Sequence, residues 1–134
     1  MRPMLDKTAY VAGPMSGYPK LNFPMFFYVE NALINAGATT LNPARKDVDA
    51  GLDWETQDGT LAELEAVNFD MREAITWDVL AIINECDSIV LLPGWKKSKG
   101  AKAEYALARF LDLDIYEWHD NDIYPVTKKV YLDV

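Results

Sequence analysis

The chain is poor in the residues that most often carry catalysis: it has one cysteine and one histidine. A lone Cys86 closes no disulfide within the chain and suits a reducing compartment. At the end of an apolar helical stretch it reads as a core residue. With His119 alone, and no metal-ligand spacing among His, Cys, Asp and Glu, no metal is expected. No G-x-S-x-G surrounds a serine, so a hydrolase triad is not expected either. Both G-x-G-x-x-G and G-x-x-x-x-G-K-[ST] are missing, which removes the dinucleotide fingerprint and the P-loop and leaves no cofactor expected. No apolar run approaches the roughly 20 residues of a membrane helix, and no signal peptide is visible, so a cytoplasmic place is expected. Basic residues are outnumbered, 13 Lys and Arg against 21 Asp and Glu, for a net charge of −8. That balance argues against a polymeric nucleic acid as partner. A single nucleotide stays open, because backbone N–H groups and one hydroxyl suffice for one phosphate. Lys96, Lys97, Lys99 and Lys102 read as a solvated face.

What remains is an ordinary globular composition. The chain has 134 residues, half of them hydrophobic and a quarter charged, enough for one domain over 1–134 with one core. Thr8 to Ala12 is β-prone and ends at Gly13-Pro14, so it reads as a first strand. Pro24 suits a helix start, and Phe26, Phe27, Val29, Glu30, Leu33 and Ile34 fit a helix with a wide apolar face stopped by Gly37. Thr39 to Leu41 is a second strand, closed by Asn42-Pro43. Arg45 to Thr60 is polar and acidic and reads as a long loop. A short helix is expected over Leu61 to Val67. A longer one, capped by Asn68, is expected from Phe69 to about Glu85 with Ile75, Val79, Leu80, Ile82 and Ile83 inward. Ser88 to Leu92 is an apolar strand, Ser98 to Leu111 a helix, and Ile115 to Trp118 a last strand. Val126 to Leu132 is expected to add an edge strand or to pack on a partner.

Strands alternating with helices predict an α/β domain: a parallel sheet of four to five strands with helices on both faces. The carboxyl ends of the strands then gather on one edge, where ligands of open α/β sheets bind. That edge collects the loop Gly13, Pro14, Met15, Ser16 and Gly17, together with Asn42, Gly94, Trp95, Ser98, Gly100 and Glu104. The Gly13 to Gly17 loop reads equally as a backbone cradle and as a plain βα turn. Ser98 reads as a helix cap whose hydroxyl, with the N–H groups of Lys99 and Gly100, suits an anion. Gly100 would let a ligand approach the backbone. Trp95 reads as a base-stacking surface, an exposed lid or a subunit contact. Most helical carboxylates are simply solvated, but Glu104 lies among Ala101, Ala103, Ala106 and Ala108, small residues suited to close packing. With Asp78 on the preceding helix it makes a candidate nucleophile and acid pair.

Tyr10-Val11-Ala12-Gly13-Pro14-Met15-Ser16-Gly17, Asn42-Pro43, Cys86 through Trp95 and Ser98-Lys99-Gly100-Ala101-x-x-Glu104 together resemble a phage and bacterial branch of the nucleoside 2-deoxyribosyltransferase superfamily. The resemblance spans about Ala9 to Trp118. It implies a Rossmann-like (flavodoxin-like) three-layer fold and cleavage of the N-glycosidic bond of 2′-deoxynucleosides or their 5′-monophosphates. Glu104 falls on the position of the glutamate that attacks C1′, Asp78 best matches the aspartate that assists the leaving base, and Tyr10 matches the tyrosine that positions the nucleophile. Enzymes acting on free nucleosides carry an aspartate six residues before the glutamate; here that residue is Ser98. The monophosphate N-glycosidases have serine there, because an aspartate would repel a 5′-phosphate that a hydroxyl at a helix N-terminus welcomes.

The expectation is therefore a small-molecule deoxynucleotide or deoxynucleoside as ligand, with no metal, in a homodimer or higher even homo-oligomer. The compartment is the cytoplasm, or the host cytoplasm if the chain is phage-encoded. A non-catalytic nucleotide-binding module of the same fold, or a structural oligomer built on the sheet edge and tail, are the rival expectations.

Overall fold

In a computed structural model that describes residues 1–55, 57, 60 and 70–126, strand β1 (Thr8–Ala12) divides its side chains between two cores. Ala9 and Val11 enter one, Tyr10 and Ala12 the other, as the two-residue period of a strand requires. Strand β3 (Ser88–Leu91) does the same, with Val90 on the first side and Ile89 and Leu91 on the second. Strands β2 (Thr39–Leu41), β4 (Asp114–His119) and β5 (Asp122–Pro125) complete a five-stranded sheet of order β2-β1-β3-β4-β5. The first four strands are parallel, in register Tyr10 with Leu41, Tyr10 with Ile89 and Ile89 with Ile115. Helices cover both faces, which makes the expected three-layer α/β domain.

Helix α1 (Phe23–Asn35) covers the first face with Phe23, Phe26, Val29 and Leu33, one side of a 3.6-residue period. It ends in a Schellman turn: Gly37 N–H reaches Ile34 O and Ala38 N–H reaches Leu33 O, both at 3.0 Å, with Gly37 at φ +98°. Helix α3 (Met71–Glu85) and helix α4 (Lys99–Phe110) cover the second face.

Three expectations are corrected. First, the start of the supposed Arg45–Thr60 loop is helical: α2 spans Pro43–Asp49, with Asn42 Oδ1 accepting the Ala44 N–H at 2.9 Å. Asn42-Pro43 is thus a cap followed by a proline at the first helical position, and not merely the end of a strand. Second, α3 starts at Met71 under Asp70, and its inward stripe is Ala74, Asp78, Ala81 and Ile82. Ile75, Leu80 and Ile83 are 53%, 50% and 47% exposed, and Val79 is half-buried. Small side chains win the buried face because they let the helix lie close to the sheet. Third, an edge strand that the sequence reading lacked precedes Val126. Asp120 and Asn121, both at positive φ, turn the chain in a two-residue hairpin, so β5 runs antiparallel to β4. Residues 127–134, the expected helix over Leu61 to Val67 and the expected Asn68 cap lie outside the described residues. No described helix is long and apolar enough to cross a membrane.

Gly13 marks where β1 leaves the sheet. A Cβ on it would lie 2.7 Å from Leu92 Cβ and 2.9 Å from Leu92 Cδ1, against a segment whose own N–H bonds Ala12 O at 2.8 Å. The residue type is therefore set by packing. Gly13→Ala should lower unfolding free energy by roughly 1–3 kcal/mol in urea denaturation, through forced displacement of Leu92. Unchanged stability would show that this contact is not what demands glycine.

Candidate active site

Strand β1 carries Tyr10 into the second core, where the side chain is fully buried and its hydroxyl must find a partner. The partner comes from α4. Ser98 caps that helix, its Oγ accepting the Ala101 N–H at 3.2 Å, and Ala101, Tyr105 and Ala108 turn inward. Glu104 lies on the same side, one helical turn beyond Ala101, and Tyr10 Oη donates to its Oε2 at 2.5 Å. A hydrogen bond to a charged group contributes about 1.5–3 kcal/mol, while an unpaired buried carboxylate costs more than that. The bond therefore offsets only part of the cost of charging Glu104. Its carboxyl is pushed up to about 8, first by burial, with Tyr10 pulling it down and Asp78 pushing it further up.

Asp78 joins from the buried stripe of α3, as the third member. Burial raises it to about 7; the charge of Asp47 raises it too, while Tyr10 and Lys46 lower it. Tyr10 is itself held well above the usual phenol range by burial and by the charges of Glu104 and Asp78. The two carboxyls flank one phenol and act on each other. Their two protons leave in steps that belong to the pair, and burial with mutual repulsion disfavours the doubly charged form against the one that keeps a proton. An acid and a base held side by side in a dry wall can attack an electrophilic carbon and protonate what leaves.

The structure thus brings Tyr10, Asp78 and Glu104 together. The other expected residues divide. Ser98 and Gly100 stand at the N-terminus of α4, where Gly100 faces open space. Ser16 and Gly17 are exposed on the loop after β1, with Gly17 at φ +86°. Gly94, at φ +86°, lies under the other end of that loop: a Cβ there would sit 2.7 Å from Tyr18 Oη and 3.4 Å from Pro14 Cγ. Pro14 is buried and accepts a bond from Asn22 Nδ2 at 3.0 Å, and Met15 packs on the first core. Two residues have structural employment. Trp95 is 8% exposed, packs on Tyr105 with centroids 4.7 Å apart and reaches Glu117 Oε2 at 3.4 Å, so it is neither an exposed lid nor a free stacking surface. Asn42 spends its oxygen on capping α2 and its nitrogen on Glu30 Oε2 at 3.2 Å and Phe26 O at 3.5 Å.

Asp47 is the residue that sequence reasoning missed. It is 6% exposed on the inner face of α2, and burial raises its carboxyl to about 6. The cap signal at Asn42-Pro43 would have placed it on a helix. Among the described residues, no group of three or more His, Cys, Asp and Glu side chains is arranged to hold a metal ion.

A family model described as "Domain of unknown function (DUF4406)" matches residues 7–117, which contain the three acids and the phenol of this cluster. No curated protein matches the chain.

Carboxyls raised on folding bind protons more tightly folded than unfolded, so their contribution is full below about pH 4 and is lost as pH rises through about 6, 7 and 8. The melting temperature should fall, on the order of 5 °C or more, between pH 5 and pH 8.5. Asp78→Asn should flatten that fall and melt higher than the wild type at pH 8.5. Equal slopes in a calorimetric pH series would show that Asp78 is not charged at a cost.

Proposed function

We propose, from the premise that the chain belongs to the DUF4406 family, that it cleaves the N-glycosidic bond of 2′-deoxynucleoside 5′-monophosphates. The resemblance to the nucleoside 2-deoxyribosyltransferase superfamily suggests the reaction. The observation that carries it is Tyr10 bonded to a buried Glu104 with Asp78 acting on both. A Glu104 oxygen attacks C1′ as the bond from C1′ to the base nitrogen breaks, and that electron pair goes to the base with the proton of Asp78. The product is a deoxyribosyl ester of Glu104. Water, or another base in a transfer, then attacks C1′ from the opposite side and gives its proton to Asp78. The ester bond breaks and Glu104 returns as carboxylate, with overall retention at C1′. Tyr10 donates to Glu104 throughout and so favours its charged form.

The 5′-phosphate goes to the N-terminus of α4. Ser98 Oγ already accepts the Ala101 N–H, which leaves its hydroxyl proton for a phosphate oxygen beside the N–H groups of Lys99 and Gly100. The loop from Gly13 to Gly17 and the turn at Gly94 flank that approach at the carboxyl ends of β1 and β3, the switch point of a β2-β1-β3 order. We assign the chain to the cytoplasm and to a homo-oligomer of even number. Support for the latter is the exposed stripe of Ile75, Leu80 and Ile83 on α3.

One observation favours a non-catalytic nucleotide-binding module. Burial raises Glu104 further than Asp78, and a protonated Glu104 is no nucleophile. The two readings part on Glu104→Gln. For a glycosidase, chromatography of free base from the four deoxynucleoside 5′-monophosphates should show release by wild type and a loss of about 10³-fold or more in the variant. Deoxynucleosides and ribonucleotides should be poor substrates. Monophosphate-induced melting shifts without base release, in wild type as in variant, would establish the binding module.

A further inference from the structure

The proposed chemistry needs the proton on Asp78 and the charge on Glu104, yet burial alone favours the opposite. A like charge on the Asp78 side alone narrows that gap. Helix α2 supplies it. The buried residues of α2 are Pro43, Ala44 and Asp47, a single face of the helix, so Asp47 points inward by register. That face packs on α1 and α3. On α3 the inward stripe is Ala74, Asp78, Ala81 and Ile82, so the α2–α3 contact brings one acid from each helix to the same side.

The seat of α2 is fixed by polar contacts that leave little freedom. Arg45 makes a two-pronged bond to Glu30 Oε1, at 2.7 Å from Nη2 and 3.2 Å from Nε, and lies 4.4 Å over the Phe27 ring. Asn42 ties the helix start to the same Glu30. The backbone oxygen of Asp47 accepts the Leu52 N–H at 3.0 Å, but no described residue donates to its carboxyl, and the opposite charge that acts on it is Lys46, beside it in the chain. A buried acid with no donor is costly for stability, and its field is felt by its neighbours. That field falls on Asp78, while the causes that move Glu104 are burial, Tyr10 and Asp78.

We infer that Asp47 is a positioning residue of the site: its buried carboxylate, set against the Asp78 side by α2, disfavours charge on Asp78 and so makes Asp78 a better holder of the proton the pair shares. The inference rests on the glycosidase reading for its consequence, but not for its electrostatics. The groups that face Asp78 are Tyr10 from β1, Glu104 from α4 and Asp47 and Lys46 from α2. Of these only Asp47 is a like charge that acts on Asp78 and not on Glu104. The arrangement moves Asp78 toward the part of the acid through its environment.

The test is a carboxyl carbon-13 NMR titration of Asp78, assigned with Asp78→Asn, in the wild type, Asp47→Asn, Asp47→Glu and Lys46→Gln. Asp47→Asn should lower the Asp78 midpoint by about one pH unit. Asp47→Glu should restore it, and Lys46→Gln should move it the other way, which keeps the test alive if one Asp47 variant folds poorly. In base release, Asp47→Asn should lower kcat roughly tenfold at pH 8 with little change in KM, and move the alkaline limb of the pH profile down. An Asp78 midpoint unmoved by Asp47→Asn overturns the inference, whether or not the protein releases base. Midpoints that move as expected in a protein whose wild type releases no base support the link from Asp47 to Asp78. The failure then belongs to the proposed reaction.

Discussion

One hydrogen bond, from Tyr10 to Glu104, ties the middle of the sheet to the helix that follows β3. Its donor stands on a central strand with no access to water, and its acceptor is an acid that burial pushes toward neutrality. For the bond to form, α4 must approach the sheet to within the reach of a phenol. Ala101 and Ala108 on the inner face of α4, and Ala74 and Ala81 on α3, make that approach possible, because methyl side chains hold a helix close. Larger residues at these positions would lift the helices and strand the hydroxyl. The packing of the second core is thus subordinate to one polar contact within it.

That contact sits in a neighbourhood whose electrostatics work against folding. Glu104, Asp78 and Asp47 are each raised by burial, and among the described residues Lys46 is the cation that acts against this, on the two aspartates. A chain selected for stability alone would fill these positions with leucine. The retained acids indicate that the site, and not the core, decides their identity; sites with functions commonly depart from the rules that make a stable interior. The compensation lies on the other face. There Phe23, Phe26, Val29 and Leu33 of α1 pack against an apolar sheet surface, and Phe23, Phe27 and Trp54 lie in mutual ring contact.

Much of this was legible without coordinates because it is local. The strands Thr8–Ala12 and Thr39–Leu41, the helix stopped by Gly37 and the Ser98 cap follow from alternation, period and capping, which depend on near neighbours in the chain. The pairing of Tyr10 with Glu104 follows from a resemblance, since nothing local relates a strand residue to a helix residue 94 positions further along the chain. Where local rules misled, tertiary packing had reversed them. Helix α3 turns Ala74, Asp78 and Ala81 inward beside Ile82 and leaves Ile75, Leu80 and Ile83 outward, against what hydrophobicity ranks first. Trp95 and Asn42 looked available because their residue types often bind ligands, and only the three-dimensional arrangement shows their polar atoms already spent. Asp47 was hidden for a simpler reason: its helix has seven residues, too few for a periodic pattern to emerge from a polar sequence.

The sheet margins bear on how copies of this chain can meet. One margin, β2, offers three residues, and the other, β5, offers four and ends in Pro125, which has no N–H to give. Short margins interrupted by proline are poor templates for another strand. Growth of a continuous intermolecular ladder, the route by which α/β proteins form fibrils, is therefore disfavoured at both described ends of the sheet. Any association of this fold falls to its helical surfaces, where contacts are made by side chains and not by backbone.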